Sequence, residues 1–159
     1  FYTFSKTFNM AGWRLAFAAG NEQMIEALNL IQDHLFVGIF PALQEAGIEA
    51  LLDPKSEEAV AQLNATYDSR RDAFVQAATK IGWKAFPSKG SFYAWMPVPE
   101  GYTSESFADL LLEEAHVAVA PGKGFGPAGD AYVRIGLLVE PERLVEAVDR
   151  IANLHLFNN

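Results

Sequence analysis

Apolar and polar positions alternate over the aromatic-rich opening, FYTFS, and predict a short strand over residues 1–5. A polar turn follows from Lys6 to Gly12, then an apolar strand, WRLAFAAG, which stops at Gly20. From Asn21 the period lengthens. Met24, Leu28, Ile31 and Leu35 fall at helical spacing, and Asn21 stands where a helix cap belongs. A second helix begins after Pro41, a residue tolerated in a first turn, and runs through ALQEAGIEALL to the break at Asp53-Pro54. Ser56 caps a long third helix whose apolar stripe is Val60, Leu63, Tyr67, Phe74, Ala78 and Ile81; Gly82 ends it.

Beyond Gly82 the pattern changes again. WKAF, SFYAWMPV, VAVA and AYVRIGLLV predict four short strands, with a helix over SESFADLLLEEA capped by Thr103 or Ser104. Pro141 opens a final helix that turns Leu144, Val145, Val148 and Ile151 inward. Residues 83–159 are therefore expected to form a compact α+β unit with two helices on one face of a small sheet. Residues 1–55 are the end of a larger α/β domain, and 56–82 connect the two. The chain opens on Phe1 inside an expected strand, so it reads as a fragment of a longer protein.

Composition narrows the function classes. The chain of 159 residues has a net charge of −8 with acids and bases interspersed, so the basic face expected of a nucleic-acid binder is missing. Without cysteine there is neither a disulfide nor a thiolate metal site, and a cytoplasmic location is the natural expectation. The most apolar stretch, residues 35–52, is interrupted by Pro41, Gln44, Glu45 and Glu49, and reads as buried helix instead of a membrane span. His34, His116 and His155 lie far apart with no ligand spacing, so no metal site is expected. The glycines at 122, 124, 126 and 129 precede a strand, not a helix, which rejects a dinucleotide loop. Ser5 has no His and Asp in an order that supports a hydrolytic triad.

Two basic positions stand out. In TFSKTFNMAGWR the hydroxyls of Thr3 and Ser5, the flexible Gly12 and the cation Arg14 are the donors a phosphate requires. Lys6 in their midst suits an amine nucleophile if desolvation and the neighbouring positive charge lower its pKa. Spacing alone favours a surface lysine in a polar turn, since such turns are common. Further on, Arg134 interrupts an apolar strand, on one face with Tyr132 and Gly136. It either points to water from an edge strand or requires a carboxylate. Among Phe92, Tyr93 and Trp95, aromatic residues of the preceding strand, core packing is the ordinary reading and a pocket wall the other.

The segment TFSKTFNMAGWRLAFA resembles the lysine signature of fold-type I pyridoxal-phosphate enzymes, and in particular of the class I and II aminotransferases. The resemblance implies the PLP-dependent transferase fold, with Lys6 as the residue that bonds the cofactor aldehyde, Arg14 as the phosphate cation, and Thr3 and Ser5 as hydroxyl donors. Thr3 departs from the family's usual Ser or Gly but keeps the hydroxyl. AYVRIGLLV resembles the small-domain strand whose arginine grips the substrate α-carboxylate, a role that passes to Arg134 and suits a bidentate guanidinium. VAVAPGKGFGPAGDAYVRIGL and PSKGSFYAWMPVP resemble the neighbouring small-domain segments. The activity this resemblance implies is amino transfer between an amino acid and a 2-oxo acid, in a homodimer with shared active sites. The wording most resembles bacterial transaminases of the methionine-salvage and diaminopimelate type. Other cofactor contacts of the family lie upstream of its lysine, so this chain by itself is expected to turn over little. The alternatives are a carbon–sulfur lyase on the same fold and the aminotransferase-like sensor domain of a transcriptional regulator.

Overall fold

The structure, a computed structural model, describes residues 1–86 and 88–157 and divides into two compact units, Phe1–Leu63 and Asn64–Asn159. In the first unit, strands β1 (Tyr2–Thr3) and β2 (Ala16–Phe17) pair antiparallel, Tyr2 opposite Phe17 and Thr3 opposite Ala16. Between them lie a single helical turn, α1 (Phe4–Thr7), and a 3₁₀ turn over Ala11–Trp13. Both strands are shorter than the sequence pattern predicts. Thr3 caps α1, so the backbone leaves the ladder there, and Trp13 is taken up by the 3₁₀ turn.

Helix α2 (Glu22–Leu35) starts where Asn21 Oδ1 accepts the Met24 N–H at 3.3 Å. Its expected apolar stripe is not buried: Met24, Leu28, Ile31 and Leu35 are all exposed, because no described residue packs over them. Helix α3 (Pro41–Leu52) has Pro41 in its first turn and a single fully buried residue, Gly47. Phe4 and Leu15 are the other two fully buried residues described in this unit, and all three meet beneath the lysine turn.

Helix α4 (Ser56–Lys80) crosses the boundary between the units. It ends because Gly82 adopts φ +81°, a left-handed conformation that lets the Gly82 N–H bond Thr79 O (3.1 Å) and the Trp83 N–H bond Ala78 O (3.0 Å). This closure removes one expected strand. The backbone of Trp83 is committed to the helix end and its Nε1–H to Pro97 O at 2.8 Å, and WKAF joins no sheet. Another strand shrinks for the same kind of reason: the Val117 N–H bonds Leu111 O at the end of α5 (Ser104–Glu114), so of VAVA only Ala120 enters a ladder.

The second unit therefore holds a three-stranded antiparallel sheet in the order β3–β5–β4, from Tyr93–Pro97, Tyr132–Gly136 and Ala120–Pro121. Alternation along β5 sends Val133 and Ile135 to one side and Tyr132, Arg134 and Gly136 to the other. The first side joins Ala94 and Met96 of β3, Phe107 and Leu111 of α5, and Leu144, Val148 and Ile151 of α6 (Pro141–Ala152) in one core. The same core takes Phe74, Ala77 and Ala78 from α4, so three helices cover the sheet instead of the two expected. Trp83 fills its centre, 1% exposed and stacked on Phe157 at 5.0 Å. Among the described residues no helix is long and apolar enough to cross a membrane.

Candidate active site

In the first unit the chain returns on itself around Lys6. The Phe4 N–H bonds Leu15 O at 3.2 Å, extending the pairing of β1 with β2 and setting Thr3, Phe4 and Ser5 beside residues 14–16. The Phe8 and Met10 N–H groups both bond Phe4 O, and the Asn9 N–H bonds Lys6 O, each at 3.3 Å. Asn9 and Arg14 take left-handed backbone angles, φ 54° and φ 51°, which are uncommon outside glycine. Such angles cost free energy and persist where the surroundings impose them. Here the imposition comes from below, where Phe4 and Leu15 are locked against Gly47.

The polar groups of this turn form a donor set. Thr3 Oγ1 accepts the Ser5 N–H at 3.2 Å and donates to Ser5 Oγ at 3.0 Å, which leaves the Ser5 hydroxyl hydrogen to donate elsewhere. Arg14, an exposed residue, donates from Nη1 to Ala11 O at 3.0 Å, a bond that steadies its guanidinium. Lys6 is exposed as well, so the desolvation expected around its amine is not supplied by the described residues. Hydroxyls and a guanidinium on one turn match the chemistry of a phosphate ester, and a lysine amine in the same turn matches that of an aldehyde.

The second unit builds a different surface. Arg134 sits on the central strand, opposite Trp95 on β3 and Ala120 on β4, on the sheet face away from the core. No carboxylate among the described residues pairs with it. Two aromatic rings hold it instead, with the guanidinium carbon 4.2 Å from the Tyr93 ring centre and 4.2 Å from that of Phe125. Beside it opens a cavity of about 640 Å³ lined by Phe86, Ser88, Ser91, Trp95 and Tyr132. Phe125 gives no signal in the sequence beyond being an aromatic residue between two glycines. Tyr93 and Trp95, by contrast, are open to reading as pocket walls.

Phe125 reaches Arg134 because the loop before β5 is tied down. Backbones cross so closely at Gly122 and Gly129 that a Cβ on either would lie 2.2 Å or 2.0 Å from a carbonyl oxygen of the loop. Ser104, fully buried at the start of α5, fastens the same loop. Its hydroxyl donates to Asp130 Oδ1 at 2.8 Å and accepts the Lys123 N–H at 3.2 Å. The Ser104 hydroxyl holds the Asp130 carboxyl below its ordinary pKa, with smaller help from the Ser104 N–H and the Lys123 charge. Among the described residues no three His, Asp or Glu side chains gather as a metal site would require.

Comparison with known proteins gives this geometry its family. The sequence profile described as aminotransferase class I and II matches residues 1–151. The chain belongs to the class I and II aminotransferases. It is 60% identical over 156 residues to the L-glutamine–4-(methylsulfanyl)-2-oxobutanoate aminotransferase of Bacillus subtilis, covering 98% of this chain and 39% of that one. It is 44% identical to the LL-diaminopimelate aminotransferase of Moorella thermoacetica, over 95% of this chain and 38% of the other. Among solved structures, apo-BacF from Bacillus subtilis superposes with a TM-score of 0.93 at 47% identity, covering 99% of this chain and 40% of that one. The chain thus spans about two fifths of the length of the aminotransferases it matches. Aminotransferases of this family depend on pyridoxal phosphate, whose phosphate and aldehyde the donor set around Lys6 fits.

Proposed function

We propose that this chain supplies the lysine, the phosphate anchor and the carboxylate grip of a pyridoxal-phosphate-dependent aminotransferase. Lys6 Nζ would hold the cofactor through its aldehyde and, as a free amine, would carry the proton taken from the substrate α-carbon. Arg14 holds the phosphate through its guanidinium, with the Ser5 hydroxyl donating beside it, oriented by the Thr3 hydroxyl that donates to Ser5 Oγ. Arg134 binds the substrate α-carboxylate edge-on, in the bidentate manner its planar fork favours. The cofactor, when bound, is the electron sink for the charge left on the substrate carbon. A methylthio-substituted 2-oxo acid as acceptor, with glutamine as donor, is the substrate pair favoured by the 60% identity, against 44% for the diaminopimelate relative. A cytoplasmic homodimer with shared sites is the assembly this reading carries.

The observation that supports the reading is the closed turn whose backbone sets Thr3, Phe4 and Ser5 beside residues 14–16, with Lys6 next along the chain. Reductive trapping tests it. The chain is mixed with substoichiometric pyridoxal phosphate, reduced with borohydride, and mapped by mass spectrometry. Lys6 is expected to carry several-fold more adduct than any of the other five lysines, and Arg14→Gln to abolish that preference. Even labelling of all six, or a preference that survives Arg14→Gln, overturns it.

A further inference from the structure

Arg134 is an anomaly. It occupies the central strand of a sheet, carries a full charge, and is matched by no carboxylate among the described residues. A half-buried guanidinium on a long, rotatable stem would ordinarily collapse onto an acidic neighbour or wander into solvent. Neither happens. Tyr93, diagonal to it across the β3–β5 ladder, brings its ring centre to 4.2 Å from the guanidinium carbon, and Phe125, from the 122–125 turn, also reaches 4.2 Å. Phe125 is itself fixed, edge-on to Trp95 with ring centres 5.6 Å apart.

A guanidinium has two sorts of surface. Its faces are weakly hydrated and favour aromatic rings, while its N–H donors radiate in the plane at the edge. Rings therefore hold the group without consuming the donors a carboxylate needs. We propose that Tyr93 and Phe125 are positioning residues: they clamp Arg134 so that its N–H edge is presented to the substrate carboxylate before the substrate arrives. This rests on the assignment of Arg134 as the carboxylate grip and adds to it how that grip is made ready. An acidic partner would do the opposite, since the substrate would have to displace it. Ordering the side chain in advance also spares the ligand that ordering cost.

The test follows the Arg134 Nε–H signal by NMR in the 159-residue chain, assigned by its loss in Arg134→Gln, while 4-methyl-2-oxopentanoate is titrated in. In the unliganded chain this signal is expected to be displaced by the ring currents of its two neighbours, and Phe125→Leu or Tyr93→Leu to relax that displacement. Each leucine variant is expected to weaken binding of the oxo acid by up to about tenfold, the cost of ordering one rotamer-rich side chain on binding instead of beforehand. Phe125→Tyr and Tyr93→Phe keep the rings and are expected to keep both the displacement and the affinity. Leucine variants that bind like the parent overturn the clamp, as does an equal loss in the leucine and the ring-keeping variants. If Arg134→Gln binds the oxo acid as tightly as the parent, the assignment of Arg134 fails instead, and the Nε–H displacement still reports whether the rings hold it.

Discussion

The Ser104 hydroxyl is the kind of group on which a whole loop depends. Fully buried, it donates to Asp130 and accepts from the Lys123 backbone, and so ties the start of α5 to the segment that carries Phe125. Removing it takes the acceptor from the Lys123 N–H and leaves Asp130 Oδ1 only the longer bond from the Ser104 N–H. Ser104→Ala is expected to lower the melting temperature of the chain by about 3 °C, the shift that ~1 kcal/mol produces in a chain of this length. The effect has a defined pH dependence. Asp130 titrates lower in the folded chain than its reference value of 3.8, chiefly because Ser104 hydrogen-bonds its charged form. A depressed carboxylate stabilises the fold above its unfolded pKa and loses that contribution as the pH falls through the folded value. The gap in urea midpoint between the parent and Ser104→Ala is therefore expected to narrow as the pH drops below 3.8. A gap that widens in acid contradicts this. At this scale the sequence is uneven in what it reveals. Arg134 announces itself as a charge in an apolar strand, whereas Phe125 does not, because its contact is made by a loop whose course depends on a Gly122–Gly129 crossing seven residues apart in the chain.

Elements follow their local signals where those signals are strong and fall short where tertiary hydrogen bonds compete. Asn21 and Thr103 cap the helices they precede, Thr103 through a reciprocal pair with Ser106, and Gly82 stops α4. The strands are less legible, since an apolar run records burial and not the destination of its backbone N–H groups. Trp83 and Val117 both give theirs to helix ends, and the strands expected around them vanish or shrink. Helix α3 shows the same dependence on neighbours from the other direction. A Cβ on Gly47 would stand 2.7 Å from Leu15 Cδ2 and 3.4 Å from Phe4 Cζ, the two side chains that support the lysine turn. Replacing a mid-helix glycine by alanine ordinarily gains up to ~1 kcal/mol, and overpacking ordinarily costs ~1–3 kcal/mol. Gly47→Ala is thus expected to come out near neutral, because the Leu15 methyl can yield by a rotation. Gly47→Val, with two further methyls, is expected to cost about 2 kcal/mol in urea unfolding and to weaken the Lys6 preference in reductive trapping. Full retention of both would show that the turn does not rest on α3.

For the molecule as a whole, the contrast between its two units decides what the chain can do unaided. The second has a continuous core of aromatic and branched side chains around Trp83. The first buries only Phe4, Leu15 and Gly47 among its described residues, and leaves Met24, Leu35, Phe36, Val37, Phe40 and Leu52 each more than 60% exposed. An apolar surface of that extent is more than soluble monomers ordinarily show. It holds the lysine turn up on an element that has little packing of its own, with Lys6 and Arg14 in contact with solvent. Amino transfer needs the lysine amine shielded from water while it moves a proton, and low-dielectric surroundings to give the fixed charges their full weight. Nothing among the described residues provides that shielding, and this chain spans only 39% and 40% of two of the aminotransferases it matches. The chain is accordingly expected to bind an apolar fluorescent dye strongly, to take up pyridoxal phosphate weakly, and to transfer no measurable amino group from glutamine to a 2-oxo acid. Turnover by these 159 residues at about 10 s⁻¹, a typical rate for an enzyme, would show that an exposed Lys6 suffices and that shielding is not required for the chemistry.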